Sequence, residues 1–422
     1  MQRWLIGAAV TILLGFSALA ATWAFVFKPI DVAAASAHMR LEPDPLGAAS
    51  TPTAWRETSA PAFREAFQRE IYGEMPDLGE ARVTERRELA LEALPFAHVE
   101  TWRVELGETG RRFNMLVVSP PDADGPRPVI VMELFCGPRA AVPGRPEAIP
   151  AALTREFKGC EGGGWAEPIV TFILGRYING PPFEMALRHG YALALFYPGD
   201  VVADDGELAP ETLAEIGGTP RAGALAVWAR LYSKAYDVVA ADSRFDASRI
   251  AIWGHSRHGK AALLAGAFDH RFWAVIAHQS GRFGASPTES TRGESRAKIL
   301  EHYAYWFAPD LTETSPLSVD QHVLIALNAP VPVLFGNGSG DFWSDPSGAW
   351  RAIQAADPVY EMLGSRGFDQ PSAGEPDFSA DLVWMQRPGG HGVTTRDWRA
   401  FLSFLDAHRD RPASPDRGGA RP

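Results

Sequence analysis

The stretch IAIWGHSRHGKAALLAG, residues 250–266, changes its pattern at one point. Up to Gly254 it is a short apolar run, which predicts a buried strand. From Arg257 onward, small and apolar residues continue with the spacing of a helix. A strand that turns at once into a helix leaves the first helical amides unpaired and pointing at the turn. We therefore expect Ser256 to stand beside backbone donors that can hold an anion.

Similar apolar runs recur along the chain and predict further buried strands. An expected antiparallel pair comes first, and the later runs suit a parallel sheet. The runs are 98–106, 112–119, 128–135, 191–197, 249–254, 273–278, 331–336 and 382–387. Helical patterns at 221–242 and 395–408 lie between or after them. This alternation predicts an α/β fold, a three-layer sandwich with a mostly parallel central sheet and its chemistry at the carboxyl ends of the strands.

Long segments rich in Gly, Pro and aromatic residues interrupt this pattern. They lie at about 137–182, 200–219 and 283–325. Insertions of this length in a compact domain commonly build a functional site. We expect them to form the substrate cleft.

The two ends of the chain differ from the middle. Residues 1–30 contain an uncharged stretch between Arg3 and Lys28, which predicts either a cleaved signal peptide or a single membrane anchor. In either case we expect the rest of the chain to be exported, to the periplasm or beyond the cell. Only this segment would contact the membrane. Residues 31–60 are expected to be a linker, 61–410 the catalytic domain and 411–422 a disordered tail.

Composition limits the possible partners and cofactors. The formal net charge is −11, and no basic stripe is present, which argues against a nucleic-acid partner. The chain has two cysteines, Cys136 and Cys160, which form either a disulfide or two buried thiols. His255 and His258 have no third ligand nearby in sequence, and no Cys/His zinc spacing occurs. We expect no metal and no organic cofactor, and we infer no protein partner.

The turn at Ser256 resembles the nucleophile elbow G-x-S-x-G, with one departure. The second glycine, Gly259, falls one position late. Ser256 is therefore either a nucleophile or the N-cap of an ordinary helix.

An activated serine needs a histidine base, and the base needs an acid to orient it. Asp341 follows the strand predicted at 331–336, and His391 follows the strand predicted at 382–387. Serine, acid and histidine in this order suit a catalytic triad. Asp345 is a second choice for the acid, or a turn or cap residue. His391 could also be an ordinary surface histidine.

Two cations follow Ser256 on the predicted helix. Arg257 could add a positive charge to an oxyanion site, and Lys260 lies one helical turn beyond Ser256, where it could reach a substrate hydroxyl or carboxyl group. Both could equally be solvated surface charges.

Several blocks taken together resemble the glucuronoyl esterases, especially their bacterial branch. The blocks are GHSRHGK from Gly254, HQSGRFGAS from His278, RGE from Arg292, VDQHVLIALNAPVPVLF from Val319, DFWSDPSGAW from Asp341, DPVYEMLG from Asp357 and GGHGVTTRDW from Gly389. The similarity runs from about residue 95 to 408. It implies an α/β-hydrolase fold and cleavage, without metal or organic cofactor, of esters between 4-O-methylglucuronic acid on xylan and lignin alcohols.

The resemblance also implies roles for single residues. Ser256 would be the nucleophile, His391 the base and Arg257 an oxyanion contributor. Sugar contacts would come from Lys260, Glu294 and Trp343, although Trp343 could instead lie in the core and Glu294 could cap a helix.

The block HQSG departs from the family's pattern. The family carries its acid as a glutamate where this chain has Gln279, which we group with the substrate contacts. A neutral amide can orient an imidazole but stabilises imidazolium poorly. Some bacterial relatives place an aspartate at the position of Asp341 instead, and we assign the acid there. The block after Phe135 and Cys136 also differs, which leaves substrate preference open.

Two rival functions remain at this point. One is an acetyl or other acyl esterase on the same scaffold, in which Lys260 and Glu294 are incidental. The other is a non-catalytic, envelope-anchored carbohydrate-binding protein that has lost its acid.

Overall fold

The computed structural model describes residues 31–36, 39–107, 110–121, 125–156, 160, 175–216 and 222–411. The expected signal or anchor at 1–30 and nearly all of the expected tail at 411–422 lie outside these ranges. Among the helices within them, none combines the length and apolarity needed to cross a bilayer.

Within the described residues, the strands form one nine-stranded sheet in the order β1-β2-β3-β5-β4-β6-β7-β8-β9. The strands are β1 Ala81–Leu89, β2 His98–Leu106, β3 Arg111–Ser119, β4 Arg127–Glu133, β5 Ala192–Phe196, β6 Phe245–His255, β7 Val275–His278, β8 Val333–Gly338 and β9 Leu382–Arg387. The pairs β1–β2, β2–β3 and β3–β5 are antiparallel. From β5 to β9 every neighbouring pair is parallel.

Helices cover both faces of this sheet. They are α1 Val32–Ser36, α2 Ala60–Phe67, α3 Phe183–Arg188, α4 Ala209–Glu215, α5 Ala224–Ala240, α6 Arg257–Phe268, α7 Arg296–Tyr303, α8 Gln321–Ala326, α9 Pro346–Met362 and α10 Thr395–His408. A helical turn at Pro52–Ala54 and π-helical turns at Trp55–Ser59 and Gln68–Tyr72 flank α2, and 3-10 turns lie at Pro138–Ala141, Pro198–Asp200 and Ala304–Trp306.

The core lies on both sides of the sheet, as the alternation of side chains along β4 demonstrates. Val129 and Val131 pack in the core that α5 and α6 cover. Ile130 and Met132 pack in the second core, which α3 and α10 cover. Because strand residues alternate between faces and both faces are covered, the central residues of the parallel strands are mostly apolar. The predicted three-layer sandwich with a mostly parallel sheet is confirmed.

One strand and one long helix were not predicted. β1 has the sequence ARVTERREL, whose many charged residues give no apolar strand pattern. It lies at the edge of the sheet, and its side chains are exposed or half-exposed, so it needs no apolar face. The helix α9 contains Pro358 and begins at Pro346, and a proline inside a helical pattern normally argues for its end.

Residues 31–60, expected to be a linker, carry secondary structure and core side chains. α1 lies here, and Val32, Trp55 and Ala60 are buried in the larger core. The stretch therefore packs against the domain over part of its length.

The segment after β4 is covalently tied to an insertion. Cys136 and Cys160 form a disulfide, which is the first of the two alternatives for these cysteines. It joins the end of the β4 strand–loop unit to the insertion at 137–182, part of which lies outside the described residues.

Candidate active site

Ser256 stands at the junction of β6 and α6 in a strained backbone conformation. Its φ is 56° and its ψ is −120°, a positive-φ conformation that L residues seldom adopt. Strain of this kind costs about 1–3 kcal/mol and persists where the surroundings enforce it. The N–H of Ser256 donates to the carbonyl of His278 on β7 (2.8 Å), and its own carbonyl accepts from Lys260 one turn later (3.1 Å). The turn is that of a nucleophile elbow.

Two glycines make the tight junction possible. A Cβ at Gly254 would lie 2.0 Å from the carbonyl oxygen of His258. A Cβ at Gly259 would lie 3.0 Å from the carbonyl oxygens of Gly254 and His278. Although it falls one position late in the motif, Gly259 thus serves close helix-to-strand packing.

His391 and Asp341, 50 residues apart in the chain, form a pair at the carboxyl edge of the sheet. Nδ1 of His391 lies 2.8 Å from a carboxylate oxygen of Asp341. Burial raises the pKa of Asp341, but its hydrogen bonds with His391 and Ser344 outweigh burial and lower the pKa overall. Asp341 therefore presents a carboxylate to the imidazole.

Ser344 links this pair to the pocket that contains Ser256. Its Oγ lies 3.1 Å from Nδ1 of His391, and its N–H donates to Asp341 (3.2 Å). The pocket is lined by Ser256, Arg257, Lys260, Gln279, Ser280, Gly281, Arg282, Glu294, Tyr303, Trp306, Trp343 and Ser344. Within the described residues, no hydrogen bond joins the hydroxyl of Ser256 to His391. Such bonds are often long in a free enzyme and shorten when substrate binds.

Asp345, the second choice for the acid, serves another purpose. It is the N-cap of α9, where its carboxylate accepts from the N–H of Gly348 (3.1 Å). The geometry thus pairs Asp341, and not Asp345, with His391.

Gln279 holds the backbone on both sides of His391. Its Nε2 donates to the carbonyl of Gly390 (3.0 Å), and its Oε1 accepts from the N–H of Gly392 (2.7 Å). A glutamate could not donate the first of these bonds. Gln279 also lines the pocket. Its position therefore suits both contact with the substrate and orientation of His391.

Arg257 is held by a carboxylate and by aromatic rings. Its guanidinium bonds to Asp204, and its carbon centre lies 4.8 Å from the ring centre of Trp306 and 5.1 Å from that of Tyr303. It lines the pocket next to Ser256 and is a half-buried, paired cation, unlike a solvated surface charge.

Lys260 and Glu294 lie across the same pocket. Burial lowers the pKa of Lys260 to about 7, although Glu294 opposes the shift. Burial also raises the pKa of Glu294, against the influence of Lys260. The ammonium of Lys260 donates to the carbonyl of Ser280. Glu294 lies before α7, whose N-cap is Ser295, so it is not the cap of that helix.

Trp343 is exposed at the mouth of the pocket. Its relative exposure is 55%, which rules out the core position that its sequence left open. A ring with a free face beside polar side chains suits stacking of a sugar ring.

A family model described as "Glucuronyl esterase, fungi" matches residues 180–364 of the chain. Among curated proteins, the carbohydrate esterase MZ0003 of an unknown prokaryotic organism is 37% identical over 241 residues, which cover 53% of this chain and 55% of the relative. A 4-O-methyl-glucuronoyl methylesterase of Phanerochaete chrysosporium is 30% identical over 161 residues, or 35% of this chain and 34% of the relative. The alignments thus span about half and about a third of the length of these two relatives.

Two solved structures cover most of the chain. A promiscuous CE15 esterase from a marine bacterial metagenome superposes with a TM-score of 0.74 at 28% identity, over 88% of this chain and 97% of the other. A glucuronoyl esterase from Solibacter usitatus gives 0.71 at 25% identity, over 88% and 99%. In sequence and in structure the chain is similar to glucuronoyl esterases. Its fold is the α/β-hydrolase fold.

Behind the site lies a buried row of polar side chains that the sequence did not reveal. The rings of His255 and His391 lie 4.6 Å apart, and Nδ1 of His255 lies 2.9 Å from Nδ1 of His278. Nε2 of His278 lies 3.3 Å from a carboxylate oxygen of Asp397. Burial lowers the pKa of both inner histidines, which favours their neutral forms.

Asp204, Ser344 and Asp397 are the site residues that sequence reasoning missed. Asp397 in the GGHGVTTRDW block could have been noticed as a helix N3 acid after Thr394, with which it forms a capping box. Asp204 lies in a polar insertion with no pattern of its own, and only the fold brings it to Arg257.

The described residues include one cluster with metal-ligand chemistry, namely Cys136, Glu156 and Cys160. Its two sulfur atoms are bonded to each other, so neither is available as a thiolate ligand. The carboxylate of Glu156 accepts from the N–H of Gly137 (2.5 Å). This cluster is therefore explained as structure.

Proposed function

We propose that this protein is a serine carboxylic-ester hydrolase that cleaves esters of 4-O-methylglucuronic acid in plant cell-wall polysaccharide. In this proposal Ser256 is the nucleophile, His391 the general base and Asp341 the acid that orients it. Arg257 stabilises the oxyanion, and Lys260, Gln279, Glu294 and Trp343 contact the substrate. The natural substrates would include the esters that join lignin alcohols to the uronic acid.

One observation carries the proposal, namely the pairing of His391 with Asp341 beside a pocket that contains a strained serine at a strand–helix turn. Strained non-glycine residues cluster at active sites, where the strain aims a side chain. Because Nδ1 of His391 faces Asp341, its Nε2 is the nitrogen left to accept a proton from a serine hydroxyl.

The reaction follows in two half-steps. Oγ of Ser256 attacks the ester carbonyl carbon while His391 takes the hydroxyl proton. The N–H and guanidinium of Arg257 hold the negative charge on the carbonyl oxygen. His391 then gives the proton to the leaving alcohol, and an acyl-enzyme ester remains on Ser256.

Deacylation reverses the roles of the groups. A water molecule loses a proton to His391 and attacks the acyl carbon. The Ser256 oxygen leaves, takes the proton back from His391, and the uronic acid is released.

The substrate class rests on the relatives and on the pocket chemistry. The relatives that are glucuronoyl methylesterases bear that activity in their names. The pocket offers an ammonium, a carboxylate and an exposed indole around one side of Ser256. Hydroxyl-rich sugar rings are recognised by such polar groups with an aromatic face.

The test compares two substrates with the full chain. We expect benzyl glucuronate to be hydrolysed with a much higher kcat/KM than p-nitrophenyl acetate, and Ser256→Ala to lose about 10³-fold or more of kcat. Preference for the acetate would identify an acyl esterase of other specificity. Absence of both activities, together with no labelling by a fluorophosphonate, would identify a carbohydrate-binding protein instead.

We also infer that the protein is exported. The Cys136–Cys160 disulfide supports this, because disulfides persist in oxidising compartments. The test is to express the full chain in a bacterium and to assay the cytoplasmic and periplasmic fractions separately. Protein found in the cytoplasmic fraction with both thiols free would contradict export.

A further inference from the structure

Three separate parts of the chain converge on the guanidinium of Arg257. Asp204 comes from the insertion after β5, and Tyr303 and Trp306 come from the end of α7 and the 3-10 turn that follows it. Phe135, after β4, adds a third ring at 5.8 Å. Most of the conformational freedom of this long side chain is therefore removed before any substrate arrives.

The two oxygens of Asp204 have different partners. Oδ1 accepts from the hydroxyl of Tyr305 (2.6 Å) and from Nε1 of Trp306 (3.0 Å). Oδ2 accepts from a terminal nitrogen of Arg257. One oxygen thus holds the loop that carries the aromatic rings, and the other holds the arginine.

One nitrogen of Arg257, Nε, is buried and has a hydrogen that no described group accepts. A buried N–H without a partner costs about 1–3 kcal/mol, and an oxygen of a bound ligand would remove that cost. Arg257 lines the pocket beside Ser256, where the carbonyl oxygen of an ester would lie.

We propose that Asp204 is a positioning residue that acts through Arg257, holding the guanidinium in the orientation that stabilises the oxyanion formed at Ser256. This inference rests on the proposed function for the roles of Ser256 and Arg257. Asp204 is too deeply engaged with Arg257, Tyr305 and Trp306 to contact the substrate itself.

The negative charge of Asp204 also supports its role in positioning Arg257. Burial raises the pKa of Asp204, but the Arg257 guanidinium and the bonds from Tyr305 and Trp306 lower it overall, so the carboxylate is ionised. A fixed ion pair cannot reorient freely as negative charge develops on the ester oxygen. Preorganised charges of this kind stabilise a transition state without reorganisation at the moment of reaction.

Asp204→Asn separates the two tasks of the carboxylate. The donors on Tyr305 and Trp306 hold the amide oxygen where Oδ1 was, and the amide NH₂ then faces the guanidinium, donor against donor. The loop keeps its bonds while Arg257 loses its acceptor. We expect kcat to fall about 10- to 100-fold with KM changed less than about threefold.

Asp205→Asn is the matched control. Asp205 is the neighbouring carboxylate, but it pairs with Arg155 and accepts from the N–H of Glu207 (2.9 Å). An asparagine can still accept the backbone bond. We expect this variant to keep the kcat of the parent protein.

A double-mutant cycle with Arg257→Met tests the route of action. If Asp204 acts through Arg257, adding Asp204→Asn to Arg257→Met costs less than about threefold, although the same change costs 10-fold or more in the parent protein. An equal loss in both backgrounds would overturn the inference, because a general disturbance of the loop does not depend on Arg257. Full activity of Asp204→Asn would overturn it as well.

The rate of fluorophosphonate labelling of Ser256 is the second readout, since phosphonylation builds negative charge on an oxygen at the same place without requiring a particular ester. Slower labelling of Asp204→Asn, at unchanged melting temperature, supports the inference whatever the substrate. Parent protein that does not label overturns the proposed nucleophile, and this inference with it. Labelling that is the same in parent and Asp204→Asn overturns this inference alone.

Discussion

At the scale of single residues, the site separates two aspartates that lie four positions apart. Asp341 faces the imidazole of His391, while Asp345 closes the first turn of α9. Both are buried, so burial does not distinguish them. Their hydrogen-bond partners do.

Replacement of each aspartate by asparagine tests this distinction. Asp341→Asn removes the charge that would stabilise imidazolium, and we expect kcat on a glucuronate ester to fall about 10²- to 10⁴-fold. Asp345→Asn is the control, because asparagine also caps helices and tolerates positive φ, and it should keep nearly full kcat. A larger loss for Asp345→Asn than for Asp341→Asn would contradict the assignment.

Lys260 makes stability depend on pH. Burial lowers its pKa from 10.5 to about 7, so between these values the unfolded chain binds a proton that the folded protein lacks. Stability therefore rises with pH in this window, by at most about 1.4 kcal/mol per pH unit. Below pH 7 the folded protein carries the whole cost of a buried ammonium.

Lys260→Met removes this titration. We expect its free energy of unfolding, relative to that of the parent protein, to be most favourable at pH 6 and to lose that advantage steadily up to pH 9.5. Denaturant unfolding at several pH values measures the difference, and Lys298→Met, at an exposed position of α7, is the matched surface control. A difference that does not change with pH would show that Lys260 titrates alike in both states.

At the scale of elements, the loop 388–392 depends on neighbours to hold His391. Gln279 bonds the backbone at Gly390 and Gly392. Arg387 donates to the carbonyls of Pro388, Gly390 and Gly392, and it pairs with Asp397 at the start of α10 (2.6 Å). A glycine-rich loop is thereby made rigid by side chains outside it.

Gln279→Glu tests this arrangement and the position of the acid together. Alone, it loses the donor to Gly390 and places a carboxylate against a carbonyl, and we expect kcat to fall about 3- to 30-fold and stability by about 1–3 kcal/mol. In the Asp341→Asn background the same change returns a charge near His391, so part of the lost kcat should come back. The test measures kcat for the parent protein, the two single variants and the double variant. A lower kcat in the double variant than in Asp341→Asn would argue that the acid has not moved from position 279 to position 341.

At the scale of the whole molecule, loops that are far apart in sequence meet above the carboxyl edge of one sheet. β6 leads to Ser256, β8 leads to Asp341 and β9 leads to His391. The segment after β4 joins them through the ring of Phe135, which lies 4.7 Å from that of His258. Next to Phe135, the disulfide ties this segment to the insertion.

Loss of the disulfide should lower stability and loosen this part of the molecule. The bond closes a loop with a sequence separation of 24, for which chain entropy predicts about 3 kcal/mol. We expect Cys136→Ser/Cys160→Ser to have a free energy of unfolding that is lower than that of the oxidised parent by this amount. Denaturant unfolding measures it, and reduction of the parent protein should give the same loss. A double variant as stable as the oxidised parent would show that other contacts hold the segment.

The sequence by itself determined the sandwich, the strand–turn–helix at Ser256 and the order of serine, acid and histidine. These depend on local patterns, because alternation along a strand and spacing along a helix are set within a dozen residues. The edge strand β1 escaped, since a strand with little buried surface needs no apolar pattern. The helix α9 was also not predicted, and it contains Pro358, a residue that is rare inside helices.

Only the tertiary structure decided which side chains support the site. The contact of Gln279 with Gly390 spans 111 positions, and that of Arg257 with Asp204 spans 53. The same holds for the choice between Asp341 and Asp345 and for the pairing of His255 with His278. Such contacts depend on where the sheet and its insertions bring distant residues together, and no local pattern in either partner encodes the other.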